Sequence, residues 1–275
     1  MIIDAHTHIF PDAVAPRAME KLTAVMAQYA GCLPEEVPVS HKGTREALCR
    51  QLETSGIDHA LVLNIATSPR QESAVNDGAL NLNRGNQRLK ALGSIHPDSP
   101  GALEELERLN EAGVPGIKLH PDYQDFLVDD QKLYPVYELC SDLGLPIVFH
   151  AGFDPLSPDL CHCPPEKAAR VIKDFPRLKI VLAHMGGMEM WEDVVQYLPA
   201  SENLYMDTAM VYDCIDPVLY KKIIRTHGAD QILFGSDSPW HDPLIEIQYL
   251  QSLRLKDEEE EAILGMNVER LFGPF

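Results

Sequence analysis

Several apolar runs of the sequence end in side chains that can bind a metal ion. Histidines end the runs IIDAHTHIF, PIVFHAG and KIVLAHMGG, and an aspartate ends ILFGSDSP; these residues are His6, His8, His150, His184 and Asp237. Alternate side chains of a strand share a face, so His6 and His8 point the same way. Imidazole nitrogens and a carboxylate oxygen suit a divalent transition metal such as Zn²⁺. A lone His-x-His pair also fits a polar strand end, but the whole set predicts a metal site.

The elements that must bring these residues together are the strands of a parallel barrel. Apolar runs begin at residues 2, 59, 90, 116, 146, 179, 203 and 232. Amphipathic helical patterns lie between them, for example at 101–113, 133–144 and 164–176. From the second run onward the spacing is about 25–35 residues, the length of one βα unit. The pattern predicts an α/β fold, a single (β/α)₈ TIM barrel over residues 1–275, whose strand ends converge on one mouth.

The segment between the first two runs is longer than one βα unit requires. Residues 11–57 contain two helix-like stretches joined by the loop CLPEEVPVSHKG. Because this segment follows the first strand, it leaves the barrel at the face where barrel active sites lie. We therefore expect a helical insertion after strand 1 that either caps the mouth or packs on the outside of the barrel.

Other polar residues near strand ends are candidates for contact with a substrate. The better candidates are His120 and Asp207, and the others are Asn64, His96 and Trp240. A polar residue at a strand end also commonly anchors a loop, so both interpretations stay open here. The Cys-His-Cys triplet at 161–163 has no fourth ligand at a recognisable spacing and is interpreted as an ordinary loop after the fifth strand.

The composition narrows the choice of partners. The formal net charge is -19 and the sequence pI is about 4.9, so we expect no binding to nucleic acid or to an anionic membrane. No apolar stretch approaches the roughly 20 residues of a membrane helix. The N-terminus shows no leader pattern, and the six cysteines are scattered, so we expect free thiols and a cytoplasmic location. A small molecule is the expected substrate.

The motifs, taken in order, resemble those of one superfamily. DAHTHIF, GIKLHP, FHAG, LAHMGG, YMDTA, ILFGSDSP and ILGMNVERLFG follow one another between residue 2 and about residue 273. This series resembles the amidohydrolase superfamily, specifically the amidohydrolase-related group that includes aminocarboxymuconate semialdehyde decarboxylase. The resemblance implies that the metal is held by His6, His8, His150 and Asp237, and that His184 lies beside the substrate or a metal-bound water. It also implies a homodimer.

These roles favour a hydrolase. A divalent ion lowers the pKa of bound water from about 15.7 towards 7. Asp237 could then accept and return a proton as general base, while His184 polarises a carbonyl group of a small amide, ester or lactone. The alternative is a non-oxidative decarboxylase or hydratase, because the related group contains all three activities. Arginines that could hold a substrate carboxylate near strand ends are few, namely Arg17, Arg45 and Arg70, which favours hydrolysis.

Lys118 bears on the number of metal ions. In the two-metal branch of the superfamily a carboxylated lysine of the fourth strand bridges both ions, and Lys118 lies in the fourth run. It precedes His120 by two residues, however, and so lies deeper than the usual strand end. We therefore expect Lys118 to be a buried lysine paired with Asp207 or Asp237. The expected cofactor is one divalent ion, Zn²⁺, with Mn²⁺ as the alternative.

Overall fold

The computed structural model describes residues 1–85 and 87–275 and shows a ring of parallel strands surrounded by helices. Within that part of the chain there are eight strands: β1 Ile3–Thr7, β2 His59–Leu63, β3 Leu89–Leu92, β4 Ile117–Leu119, β5 Ile147–Phe149, β6 Ile180–Leu182, β7 Leu204–Asp207 and β8 Ile232–Leu233. Each strand begins within one residue of the start of the corresponding apolar run. The predicted α/β barrel is thus confirmed.

Backbone pairing continues across the two places where the ladder is short. The strands pair in the orders β1-β2-β3 and β4-β5-β6-β7-β8. Between β3 and β4, Lys118 N donates to Gly93 O at 2.8 Å. Between β8 and β1, Ala5 N donates to Phe234 O at 2.7 Å, and Thr7 bridges Ser238 in parallel. The contacts between β8 and β1 join the last and first strands, which lie more than 200 residues apart in the chain.

Helices cover the outside of the ring. In the described residues they are α1 Ala15–Ala30, α2 Arg45–Ser55, α3 Glu72–Gly85, α4 Ala102–Glu111, α5 Tyr134–Leu143, α6 Pro165–Asp174, α7 Trp191–Tyr197, α8 Pro217–His227, α9 Pro243–Ser252, α10 Asp257–Glu261 and α11 Asn267–Phe272. Helix α6 shows the pattern: Ala168, Val171 and Ile172 are buried, at the spacing that places them on one face. The buried apolar residues form two clusters. The larger one includes the buried face of α6, and the smaller one includes Leu61 and Val181.

The helices α1 and α2 both lie between β1 and β2, where the sequence predicted an insertion. The loop after α1 contacts the loop after β8, because Ser40 N donates to Pro239 O at 2.7 Å. The Tyr29 ring at the end of α1 lies 4.9 Å from the Phe153 ring, which follows β5. The segment therefore contacts loops that follow two different strands, and its role as a cap stays a prediction.

Two composition-based expectations can be compared with the structure. Among the described residues there is no helix that combines the length and apolarity needed to span a bilayer. The six cysteines all lie in the described part of the chain, and each is a free thiol.

The buried side chain of Gln124 joins the segments that follow three strands at the mouth of the barrel. Its amide nitrogen donates to Ala66 O and Ile95 O, both at 2.9 Å, and its amide oxygen accepts from His120 N at 2.9 Å.

We predict that Gln124→Ala lowers the free energy of unfolding by about 2–4 kcal/mol, because three buried backbone groups lose their partner. Urea unfolding measures this. The exposed Gln71→Ala serves as control, and an equal loss in both variants would contradict the prediction.

Candidate metal centre

The first cluster of donor atoms consists of His6, His8 and Asp237, at the β1 and β8 side of the mouth. His6 Nε2 lies 3.2 Å from His8 Nε2 and 3.3 Å from Asp237 Oδ1, and His8 Nε2 lies 3.2 Å from the same oxygen. Two ligands held about 2.0–2.2 Å from one tetrahedral ion are separated by roughly 3.3–3.6 Å. The first cluster is therefore close to the size that one divalent ion requires.

Hydrogen bonds on the far side of each ring fix the direction of the lone pairs. His6 Nδ1 lies 2.8 Å from Asp207 Oδ2, and His8 Nδ1 lies 2.9 Å from Leu63 O. Both partners are acceptors, so each Nδ1 carries the proton and each Nε2 presents a lone pair to the cluster. Together with the Asp237 carboxylate, three electron-rich atoms face one another. Since such an arrangement is repulsive without a cation between the atoms, these residues fit a bound divalent ion.

Charge and burial keep these groups in the forms that bind metal. Burial lowers the pKa of His6 to about 4, against the opposing effect of the Asp207 carboxylate, so its imidazole is neutral. Burial acts to raise the pKa of Asp237, and positive charge on the adjacent imidazoles of His6 and His8 acts more strongly to lower it; with these rings neutral, a bound cation would supply that charge. For Asp207, burial is likewise outweighed by His6, and the pKa falls to about 2. Both carboxylates are ionised at neutral pH.

His184 and His150 form the next part of the mouth. His184 belongs to a group with His6 and Asp237 in which one ligand atom of each residue lies within 4.8 Å of the other two. His150 contacts His184, and its Nδ1 lies 3.1 Å from His184 Nε2. The resemblance named His150 as a ligand and His184 as a neighbour of the substrate. This division of roles stays a prediction, and the geometry brings His184 nearer to the first cluster.

The remaining predicted site residues lie in different surroundings. Asp207 is fully engaged, because Oδ2 accepts from His6 and Oδ1 accepts from His184 N at 3.0 Å and Ala209 N at 3.1 Å. It thus positions the ring of His6 and the backbone of His184, and its contact with a substrate stays a prediction. Asn64 donates to Leu92 O at 3.1 Å and joins the ends of β2 and β3, as a loop anchor does.

His120 and Trp240 lie closer to the first cluster and its neighbours. The His120 ring stacks on the His150 ring with centroids 4.3 Å apart. The half-buried Trp240 donates its backbone N–H to Asp237 O at 2.8 Å. His96 N donates to Glu72 Oε2 at 2.6 Å, which ties the third strand end to α3.

Lys118 does not form the ion pair that the sequence suggested. Within the described part of the chain its Nζ has no hydrogen-bond partner, although the side chain is completely buried. Burial lowers the pKa of Lys118 to about 8, and the carboxylates of Asp207 and Asp237 oppose this shift. The expected pairing with Asp207 or Asp237 was wrong, and the Asp207 carboxylate accepts instead from His6 Nδ1 and from the backbone N–H groups of His184 and Ala209.

Two polar residues of the mouth, Asp122 and Asp154, were missed by sequence reasoning. Their side chains are buried among the loops that follow β4 and β5, where Asp122 contacts His162 of the Cys-His-Cys triplet. They lie beyond the strand ends, where periodicity gives no register for a side chain. The available signal was an aspartate shortly after the histidines that end the fourth and fifth strands, in HPD at 120–122 and HAGFD at 150–154.

Comparison with known proteins relates this chain to one family. A family model described as amidohydrolase matches residues 3–273. The chain is 25% identical over 225 residues to 2-amino-3-carboxymuconate-6-semialdehyde decarboxylase of Dictyostelium discoideum, covering 68% of this chain and 62% of that protein. It is 24% identical over 216 residues to 2-keto-4-carboxy-3-hexenedioate hydratase of Sphingobium sp., covering 65% and 63%. The chain thus spans about three fifths of the length of both relatives.

A solved structure resembles the chain over almost its whole length. It is a dihydroxybenzoic acid decarboxylase from Polaromonas sp., determined with bound manganese and an inhibitor. The TM-score is 0.70 at 17% identity, and the match covers 98% of this chain and 96% of the other. At this identity the likeness shows the barrel fold.

The comparisons correct the predicted reaction. The sequence favoured a hydrolase of amides, esters or lactones, whereas the two relatives described above are a decarboxylase and a hydratase. The prediction of a hydrolase was wrong, and the alternative of a decarboxylase or hydratase has the better support. The motifs could not separate these classes, because a metal ion in a barrel mouth can polarise a substrate oxygen in each of them.

The hydrogen bond from His6 to Asp207 yields a test of the metal centre. We predict that Asp207→Asn weakens divalent metal binding by roughly 10–100-fold, because the carboxylate that orients His6 and raises its basicity is lost. Competition with a chromogenic chelator measures the Kd for Zn²⁺ and Mn²⁺. Asp125→Asn, at a fully exposed carboxylate, is the matched control. An unchanged Kd in Asp207→Asn would rule out this orienting role.

Proposed function

The chain belongs to the amidohydrolase family, and on that premise we propose that it is a metal-dependent lyase acting on a small carboxylic acid. The main candidate reaction is non-oxidative decarboxylation. Hydration is the second candidate, because one of the relatives described above is a hydratase. The names of both relatives and of the similar structure describe acids that carry carboxyl groups.

The observation that carries the proposal is the buried and unpartnered ammonium group of Lys118. Among residues 1–85 and 87–275 it is the only lysine or arginine that is buried. It lies on β4, two residues before His120 at the mouth. A buried cation without a partner is costly, and a substrate carboxylate would supply that partner.

Arginine is not needed for this role. Arg17, Arg45 and Arg70, the candidates considered from the sequence, are all exposed. Their scarcity near strand ends favoured hydrolysis only as long as Lys118 was taken to be paired with an aspartate. With its Nζ free, Lys118 can anchor the acid as a point charge.

The first cluster and His184 would act on the anchored substrate. When bound by His6, His8 and Asp237, a divalent ion supplies a Lewis acid that stabilises negative charge on a substrate oxygen. We propose Zn²⁺ or Mn²⁺, and the manganese in the similar decarboxylase structure supports the second. Decarboxylation leaves electron density on the carbon that loses carbon dioxide, and that carbon must then gain a proton. His184 and Asp237, which face the mouth, are the groups that we propose for proton transfer.

The surroundings of the mouth complete the proposal. We propose one barrel domain over residues 1–275, with the segment around α1 covering the mouth through the contact of Tyr29 with Phe153. The free thiols suit the cytoplasmic location that we propose.

Direct assay of the reaction tests the function. The metal-loaded protein is screened against aromatic and unsaturated carboxylic acids for released carbon dioxide and, separately, for loss of the substrate double bond. We predict turnover of at least one acid, with Asp237→Asn folded but lower in kcat by roughly 10²–10⁴-fold. Circular dichroism checks the fold of the variant. If Asp237→Asn remains fully active, Asp237 has neither proposed role, and turnover of amides or lactones alone would refute the lyase proposal.

A separate prediction concerns Lys118. We predict that Lys118→Met raises KM for the acid by roughly 10–100-fold, because a charge-assisted contact with the carboxylate is lost. Steady-state kinetics separate KM from kcat. Lys173→Met, at an exposed position on α6, is the control. Mass spectrometry of the native protein checks for carboxylation of Lys118, and a carboxylated Lys118 would exclude its role as a cationic anchor.

A further inference from the structure

A group of basic residues lies on the outer surface of the barrel, where α8 adjoins the end of α9. We name it the basic groove, and it consists of Lys221, Lys222, Arg225, Arg254 and Lys256. The groove comprises two adjoining cavities, a larger one of about 500 Å³ and a smaller one of about 360 Å³. Lys221 and Arg225 line both cavities, and Arg254 and Lys256 line the smaller one. Four of the five cations therefore converge on the smaller cavity.

The basic groove lies away from the mouth of the barrel. Helix α8 ends at His227, and the next two residues, Gly228 and Ala229, line the smaller cavity. These residues precede β8, so the smaller cavity lies where a strand begins, whereas the mouth lies where the strands end. The basic groove is therefore separate from the first cluster, and the proposed reaction does not use it.

Local structure brings the basic residues together. Lys221 and Lys222 each lie within about one turn of Arg225, so the three side chains leave α8 on the same side. Arg254 follows the end of α9 and has a φ of 51°, in the left-handed region. Glycine is the usual residue after a helix in this conformation, so an arginine here costs backbone energy. In return, the position provides a guanidinium group that lines the smaller cavity.

No ion pair neutralises the basic groove. Within residues 1–85 and 87–275 none of its five side chains forms a salt bridge, although the chain has 42 acidic and 23 basic residues. Arg108 and Arg170, on other helices, each pair with two carboxylates. Glu259 lines the smaller cavity, but its Oε2 accepts from Lys256 N at 3.0 Å. Neighbouring cations without a carboxylate repel one another, and a bound anion relieves that repulsion.

The acidic surroundings of the basic groove favour a small anion. Helix α10, Asp257–Glu261, begins directly after Lys256 and consists of acidic residues alone. A nucleic acid or an anionic membrane extends past the groove, so it would meet this helix and a surface of formal net charge -19. An anion small enough to lie within the two cavities avoids this repulsion.

The side chains of the two cavities suit phosphate groups and an attached organic group. The guanidinium groups of Arg225 and Arg254 can each bind two phosphate oxygens, and the lysines add point charges. Pro217, Val218 and Leu253 line the larger cavity and offer apolar surface there. The smaller cavity therefore has the charges that phosphates require, and the larger cavity has apolar surface for an organic group.

We propose that the basic groove binds a diphosphate group, either free or as part of an organic diphosphate. The phosphates lie in the smaller cavity among its four cations, and an organic group extends into the larger cavity. The site is remote from the mouth, so this proposal goes beyond the proposed function and does not depend on it.

Equilibrium dialysis with radiolabelled inorganic pyrophosphate tests the proposal on the full-length, metal-loaded protein. We expect one equivalent to bind per chain. The Kd should rise roughly 10-fold or more in Lys221→Gln and in Arg225→Gln, because each of these groove variants loses a charge-assisted contact. Lys173→Gln removes an exposed lysine on α6 and, as the control, should leave the Kd unchanged. Circular dichroism verifies that all three variants fold.

Competition separates the two sources of the diphosphate group. If unlabelled adenosine diphosphate displaces the label at a lower concentration than unlabelled pyrophosphate does, the groove binds an organic diphosphate. If it needs an equal or higher concentration, the groove binds free pyrophosphate.

Several results would overturn the proposal. The first is the absence of binding at millimolar pyrophosphate. An unchanged Kd in both groove variants would place the anion elsewhere, for example at the metal ion of the mouth. An equal rise of the Kd in Lys173→Gln would indicate general attraction to cations. An oligomer that dissociates in Arg225→Gln, measured by size-exclusion chromatography, would mean that a second copy of this chain occupies the groove. None of these results bears on whether the protein is a lyase.

Discussion

The mouth of this barrel depends on holding together atoms that repel one another. His6 Nε2, His8 Nε2 and Asp237 Oδ1 lie 3.2–3.3 Å from one another. Each of the three atoms presents a lone pair to the other two. The backbone enforces this approach, because Asp237 N donates to His6 O at 2.9 Å. Beneath it, the buried carboxylate of Asp4 accepts from Ser236 N at 3.0 Å and Ser236 Oγ at 2.5 Å. The junction of the first and last strands thus stabilises an arrangement that becomes favourable only with a cation present.

The need to hold these repelling atoms together explains why Asp207 and Asp237 have different roles. Asp207 makes three contacts, to one imidazole and two backbone amides, and so orients His6 and fixes the start of the turn at His184. Asp237 has its oxygen directed at two Nε2 atoms and is the carboxylate that a metal ion would share. Two aspartates at neighbouring strand ends are chemically identical in the sequence. Their partners, which come from other strands, separate a positioning role from a ligand role.

The difference between Asp207 and Asp237 shows which features the sequence could predict. The strands and the convergence of His6, His8, His184 and Asp237 were predictable, because apolar runs set the strand ends and a parallel barrel gathers those ends. The free Nζ of Lys118 was not predictable, since it depends on Asp207 being saturated by residues from other strands. Asp122 and Asp154 lie in loops without a periodic pattern, so no sequence spacing places them. The reaction class was also beyond reach, because one polarising site serves several chemistries.

Charge has opposite consequences outside and inside the mouth. A formal net charge of -19 gives an acidic exterior that does not attract a carboxylic acid from solution. At physiological ionic strength, however, exposed charges are screened beyond about 8 Å, whereas buried charges are screened much less. The field that an acid meets at the mouth is therefore set by Lys118, by the buried aspartates and by any bound cations. Selectivity for the proposed acid substrate would then arise from these few buried groups.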